Sequence, residues 1–177
     1  TLFHGDKNKA KWMVDNIVTN SWNDQTDLGK PIQECIFELK QAYPKYAPYI
    51  AAYWYCYKDM DGGEIPGIYD VMKDLKNRGY HLYCLTNWSH ETFPIVKEVH
   101  ARLFELFDGI VVSGEEKMVK PNPEIYTLLL SRYNLKASES IFIDDRQRNV
   151  DGANQVGIHG ILFKGSNELK EQLAQYL

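Results

Sequence analysis

From residue 67 onward, short apolar runs alternate with stretches of helical periodicity, and this alternation restricts the fold more than any other feature of the chain. The runs at 80–85, 108–113, 140–143 and 158–163 read as strands, and the patterns at 67–78, 90–99, 122–133, 147–156 and 166–176 read as helices. Strands that alternate with helices cross over and run parallel, so the expected architecture is an open, Rossmann-like α/β parallel sheet with helices on both faces. Gly79, Gly109 and Gly157 stand just before strands, where an αβ turn calls for tolerance of positive φ.

The first third has a different rhythm. Trp12, Val14 and Ile17 share a helical face within 7–19, Ile32, Ile36 and Leu39 do so after Pro31, and an aromatic-rich helix is expected over 46–57. Tyr46, Tyr49, Tyr53 and Tyr57 recur there at helical spacing, which suits internal packing. Asn20 to Gly29 reads as a polar loop containing one large aromatic, Trp22. Glycine and proline in Asp61-Gly62-Gly63-Glu64-Ile65-Pro66-Gly67 end the helical pattern, dividing the chain into a small all-α part at 1–63 and an α/β core at 64–177.

A chain of 177 residues with 44% hydrophobic content suits one main domain. Its net charge of -4 offers no basic face for nucleic-acid phosphates. No run approaches the roughly 20 apolar residues of a membrane span, and the opening residues do not read as a signal peptide. A soluble, cytoplasmic protein is expected. Cys35, Cys56 and Cys84 are odd in number and set among apolar neighbours, as reduced packing residues would be. His4, His81, His90, His100 and His159 lack metal-ligand spacing.

Ligands of open parallel sheets bind at the carboxyl ends of the strands. There the chain places Thr86-Asn87-Trp88-Ser89, then Ser113-Gly114-Glu115-Glu116 leading to Lys120-Pro121-Asn122-Pro123, and finally Asp144-Asp145-Arg146-Gln147-Arg148-Asn149. Taken singly, Thr86, Asn87 and Ser89 could cap a helix, Lys120 could be solvated, and the acidic pair could answer a helix dipole. Taken together, they put hydroxyl and amide donors, a lysine and two adjacent carboxylates in one crevice. Adjacent carboxylates repel unless a cation lies between them, and hard oxygen ligands suit magnesium. Lys120 with the Thr86 and Asn87 side chains can then stabilise a phosphoryl group in transfer. Arg146 and Arg148 lie past the carboxylates and read as helix-surface residues, and His90 reads as a surface or capping residue.

The strand ending in Leu85-Thr86-Asn87, the run Lys120-Pro121-Asn122-Pro123-Glu124-Ile125-Tyr126, and the run Ile141-Phe142-Ile143-Asp144-Asp145-Arg146-Gln147-Arg148-Asn149 resemble motifs two, three and four of the haloacid dehalogenase superfamily. The helical part resembles the small cap that this family inserts after its first strand. The resemblance implies a phosphatase-like hydrolase that uses Mg2+ on a small phosphorylated metabolite through an aspartyl-phosphate intermediate. Thr86 would bond the phosphoryl group with Asn87 beside it, and Lys120 would bind the same group and the nucleophile. Asp145 would ligate magnesium directly, Asp144 directly or through water, and Asn149 would orient the acidic loop.

The family's first motif, an aspartate closing an apolar strand, has no match here, since Asp6 follows too polar a lead and Asp15 falls in a helical pattern. That strand and its nucleophile are expected upstream. In the family the strand lies in the middle of the sheet, so its absence would leave an open slot between two parallel strands, and the chain without it is expected to be inactive. The alternatives on the same fold are a 2-haloacid dehalogenase, whose departing halide the acidic pair would oppose, and a non-catalytic relative. A receiver-type phosphoacceptor module would carry its acidic pair early rather than late. Substrate choice would belong to the cap, where Trp22, Asn23, Gln25 and Asp27 form the most distinctive loop, with Trp22 overhanging the entrance or else anchoring the cap.

Overall fold

A computed structural model describes residues 6–55 and 61–176. Cys56, Tyr57 and His4, with the end of the expected 46–57 helix, lie outside the described residues. The helical part holds α1 (Lys7–Asn16), α2 (Asn20–Asp27), α3 (Ile32–Ala42) and α4 (Ala47–Tyr55). Its core joins Met13, Ile17, Trp22, Ile32, Cys35, Ile36, Leu39, Ile50 and Trp54, with Tyr46, Tyr49 and Tyr53 packed against it.

Two expectations for this part are corrected. The stretch read as a polar loop is helical, because Thr19 caps α2 by accepting the Trp22 N–H, and Trp22 is buried in the helical core. On α1 the inward residues are Met13 and Ile17, one turn apart, while Trp12 and Val14 are exposed.

In the α/β part, α5 (Ile68–Asn77), β1 (Tyr83–Thr86), α6 (Phe93–Val99), α7 (Ala101–Phe104), β2 (Gly109–Val112) and α8 (Ser113–Glu116) are followed by α9 (Pro123–Arg132), β3 (Ile141–Asp144), α10 (Gln147–Gln155), β4 (His159–Leu162) and α11 (Ser166–Leu173). Leu85, Val111, Ile125, Tyr126, Leu129, Phe142 and Ala153 form one buried cluster. Val71, Leu75, Ile161, Leu169 and Leu173 form another. Gly79 and Gly157 have positive φ as expected, but Gly109 does not. Gly109 is the first residue of β2, and a Cβ there would overlap the Tyr133 ring, whose hydroxyl both donates to and accepts from the Ile110 backbone.

The four strands are parallel as expected but do not join in one continuous sheet. β1 pairs only with β2 and β3 only with β4 among the described residues. The Lys120 ammonium bridges the two pairs, donating to Leu85 O on β1 and to Asp144 on β3 at 2.7 Å each. β1 and β3 thus flank a gap whose two edges no other strand among the described residues pairs, Leu85 O being met by Lys120 instead.

The helical part docks on the α/β part through backbone. Glu91 accepts the Ile32 N–H at the start of α3 at 2.7 Å, and Gly29, at φ 87°, lies so close to Gly114 O that a Cβ would come within 2.7 Å of it. α2 is thereby held over the ends of β1 and β3. No helix among the described residues is long and apolar enough to cross a membrane.

Candidate active site

The loops after β1 and β2 are tied together, because the Trp88 N–H donates to the fully buried Ser113 hydroxyl and the Gly114 N–H donates to Trp88 O. Below them, Asn87 engages the backbone of Lys120 with both ends of its amide, donating to Lys120 O at 3.0 Å and accepting from Lys120 N at 2.8 Å. The peptide bond between Lys120 and Pro121 is cis. This grip aims the Lys120 side chain, 9% exposed, across the gap at Asp144, 7% exposed, with the Phe142 ring alongside.

The Asp144 carboxylate has most of its acceptor capacity in use. Oδ2 accepts from Lys120, and Oδ1 accepts from the Arg146 N–H and the Asn149 amide, both at 2.9 Å. Burial pushes its pKa up, but the neighbouring Lys120 charge and these hydrogen bonds outweigh it and hold the carboxyl below its ordinary range. Asn149 is itself held by Tyr126, whose buried hydroxyl donates to Asn149 O at 2.7 Å.

Two groups stand uncommitted. Asp145 is exposed, and neither its carboxylate nor the hydroxyl of half-buried Thr86 makes a hydrogen bond among the described residues. Asn149 is 4% exposed, and its Oδ1 has no partner. Swapping its amide would set an oxygen against Asp144, so the orphaned acceptor is fixed by its surroundings. Among the described residues no three His, Cys, Asp or Glu side chains gather as a cage. Magnesium needs none, since it keeps several waters and takes one or two carboxylates plus phosphate oxygens. A free carboxylate at Asp145, a committed one behind it, and an acceptor suited to a bound water fit that ion.

Thr86, Asn87, Lys120, Asp144, Asp145, Arg146 and Asn149 form the floor of a crevice of about 350 Å³, as the strand-end reading expected of all but Arg146. Its sides are Trp88, Ser89 and Thr92, and its roof is Asn23, Asp24, Thr26 and Asp27 of α2 with Trp54. Burial, with Asp24 adding to it and Arg146 opposing, pushes the Asp27 carboxyl up to about 6. Asn23 and Asp27, expected in the cap loop that bears on substrate choice, do line the crevice, whereas Asp24 and the lining role of Arg146 were missed in the sequence. The only available signal was Asp27 three residues after Asp24, one helical turn, and that spacing loses its meaning once 20–29 is read as a loop.

Trp22 does not reach this crevice. It is 6% exposed, donates its indole N–H to Cys35 O at 3.2 Å, and packs on Tyr53 and Trp54 inside the helical part. His90 and Arg148 do not line the crevice either. Cys35 and Cys84 are free thiols, and burial pushes the Cys84 thiol up to about 11, against the pull of Lys120. That suits a packing residue rather than a nucleophile.

A sequence model of haloacid dehalogenase-like hydrolases matches residues 8–157. A sesquiterpene phosphatase of Aspergillus oryzae is 37% identical, the match covering 51% of this chain and 46% of that protein. A ribulose-1,5-bisphosphate 5-phosphatase of Halopiger xanaduensis is 30% identical over 66% of this chain and 48% of that protein. A phosphoglycolate phosphatase of Aliivibrio fischeri is 28% identical over 56% and 45%. The chain thus spans about half the length of these relatives. Among solved structures, a HAD family enzyme of Bacteroides thetaiotaomicron in a magnesium complex superposes with a TM-score of 0.70 at 22% identity, covering 94% of this chain and 87% of that one. The same enzyme with magnesium and inorganic phosphate gives 0.62 at 23% identity, covering 80% and 74%.

Proposed function

The chain belongs to the haloacid dehalogenase-like hydrolases, and from that membership we propose that it serves a magnesium-dependent phosphatase acting on a small phosphorylated metabolite. The observation that carries this reading is the convergence on one crevice of Lys120, held across the gap by Asp144, with the uncommitted Thr86 hydroxyl and Asp145 carboxylate.

Lys120 and Thr86 would donate to the non-bridging oxygens of the phosphoryl group, whose charge rises as the bond to the leaving oxygen breaks. Asn87 touches no substrate in this scheme and acts by fixing the Lys120 backbone. Asp145 would hold magnesium directly and Asp144 through water or its one remaining lone pair, with Asn149 orienting Asp144. When bound, magnesium supplies charge neutralisation on the phosphate oxygens.

The attacking carboxylate would come from an apolar strand lying in the gap between β1 and β3, whose carboxyl ends meet at Lys120. It would displace the alcohol from phosphorus to give an acyl phosphate, which water hydrolyses to release phosphate and restore the carboxylate. The whole protein is expected to release phosphate from p-nitrophenyl phosphate and sugar phosphates with magnesium, to lose this activity in EDTA, and to lose at least about a hundredfold in kcat with Lys120→Ala. Halide release from 2-chloropropionate without metal, with no ester hydrolysed, would contradict it.

A further inference from the structure

Beyond the phosphate end, the crevice has a roof of definite chemistry. Asn23, Asp24 and Asp27 lie on neighbouring turns of α2, three and four residues apart, and all three line the cavity. α2 is held there by the close approach of Gly29 to Gly114 and by Glu91 at the start of α3. Trp54 and Trp88 add ring surface at the roof and side.

Lys120 is matched by Asp144, and Arg146 is the other cation of the lining, against the two acids Asp24 and Asp27 of the roof. The roof therefore carries a surplus of negative charge over the position that the non-phosphate end of a substrate would occupy. A second observation in the same cavity also calls for a donor: Asn149, buried at 4% exposure, holds an unpartnered Oδ1.

We propose that Asp24 and Asp27 select phosphate esters whose other end is neutral and hydroxyl-bearing, and reject those ending in a carboxylate. This rests on the phosphatase reading and gives it a substrate class. Carboxylate oxygens accept charge-assisted hydrogen bonds from hydroxyls. A substrate carboxylate at the same place would meet like charge, which excludes it. A long hydrocarbon end would strip water from the two acids and return no hydrogen bond.

The test compares ribose 5-phosphate with phosphoglycolate in the whole protein with magnesium. Turnover of the esters is measured alongside calorimetric binding of their phosphonate analogues, whose P–C bond resists hydrolysis. The expected result is at least about tenfold tighter binding of the ribose analogue, as like-charge exclusion requires. Replacing both acids, Asp24→Asn with Asp27→Asn, should narrow that ratio at least about threefold. The readout is a ratio within one preparation, so a general loss of folded protein does not move it. Equal or inverted affinities in the wild type, an unchanged ratio in the double variant, or no binding of either analogue would overturn the assignment. Selective binding with neither ester hydrolysed would instead sink the phosphatase reading and leave the roof selectivity standing.

Discussion

Lys120 and Asp144 are both almost stripped of water, so the lysine charge depends on its partner far more than a surface pair would. Asp144→Asn is expected to cost about 3 kcal/mol at pH 7 in urea unfolding, because it leaves a buried ammonium without counter-charge. The Asp144 carboxyl lies below its ordinary range when folded, so its contribution is full above the unfolded value near 4 and is lost as pH falls through the lower folded value. The gap between wild type and Asp144→Asn should close in acid. Asp27 has the opposite sign. Its carboxyl rises to about 6, so the stability present below the unfolded value is lost as pH climbs from about 4 to about 6. In metal-free protein, Asp27→Asn should therefore be more stable than wild type by roughly 1 kcal/mol at pH 7, after allowance for solvent screening, and no more stable at pH 4. The acidic pair was readable because it closes a strand, and Lys120 because it lies on the connection from a strand end to the proline that opens α9. The engagement of Asn87 with the Lys120 backbone was not, since it joins residues 33 apart that only the folded chain brings together.

α2 shows where periodicity misleads at the scale of an element. Its residues are almost all polar, so the sequence carries no apolar stripe, and the helix is set by the Thr19 cap and by two buried side chains, Trp22 and Thr26, of which only Trp22 is apolar. Tertiary burial decides such a helix, and pattern does not report it. Trp22→Ala should cost about 3–5 kcal/mol, read as a lower urea midpoint, through the cavity left beside Tyr53 and Trp54 and the lost bond to Cys35 O. Because Trp22 does not itself line the crevice, the ratio of kcat/KM between two phosphate esters should stay unchanged in that variant, whereas a change of ratio would put the ring at the substrate. The α/β elements were read more closely, within about three residues, because their strands and helices alternate in a way that leaves few other arrangements.

Across the whole molecule, two parallel strand pairs face each other over a gap, and the catalytic groups crowd its carboxyl end. Parallel pairing was readable from alternation, while the break between the pairs was legible only through the first motif that the chain does not match, since an unpaired edge leaves no mark on local pattern. In a polypeptide limited to residues 1–177, the backbone amides of β1 and β3 that face the gap should exchange with solvent faster than those paired to β2 and β4. Uniform protection along both edges of each strand would refute the gap. The site's use of that geometry is tested most directly by titrating inorganic phosphate into the whole protein by calorimetry, with magnesium and with EDTA, and repeating both with Asp145→Asn. Phosphate should bind at least about tenfold tighter with magnesium, and that gain should vanish in the variant. The same affinity in all four titrations would contradict a cation held by Asp145 beside a phosphate held by Lys120.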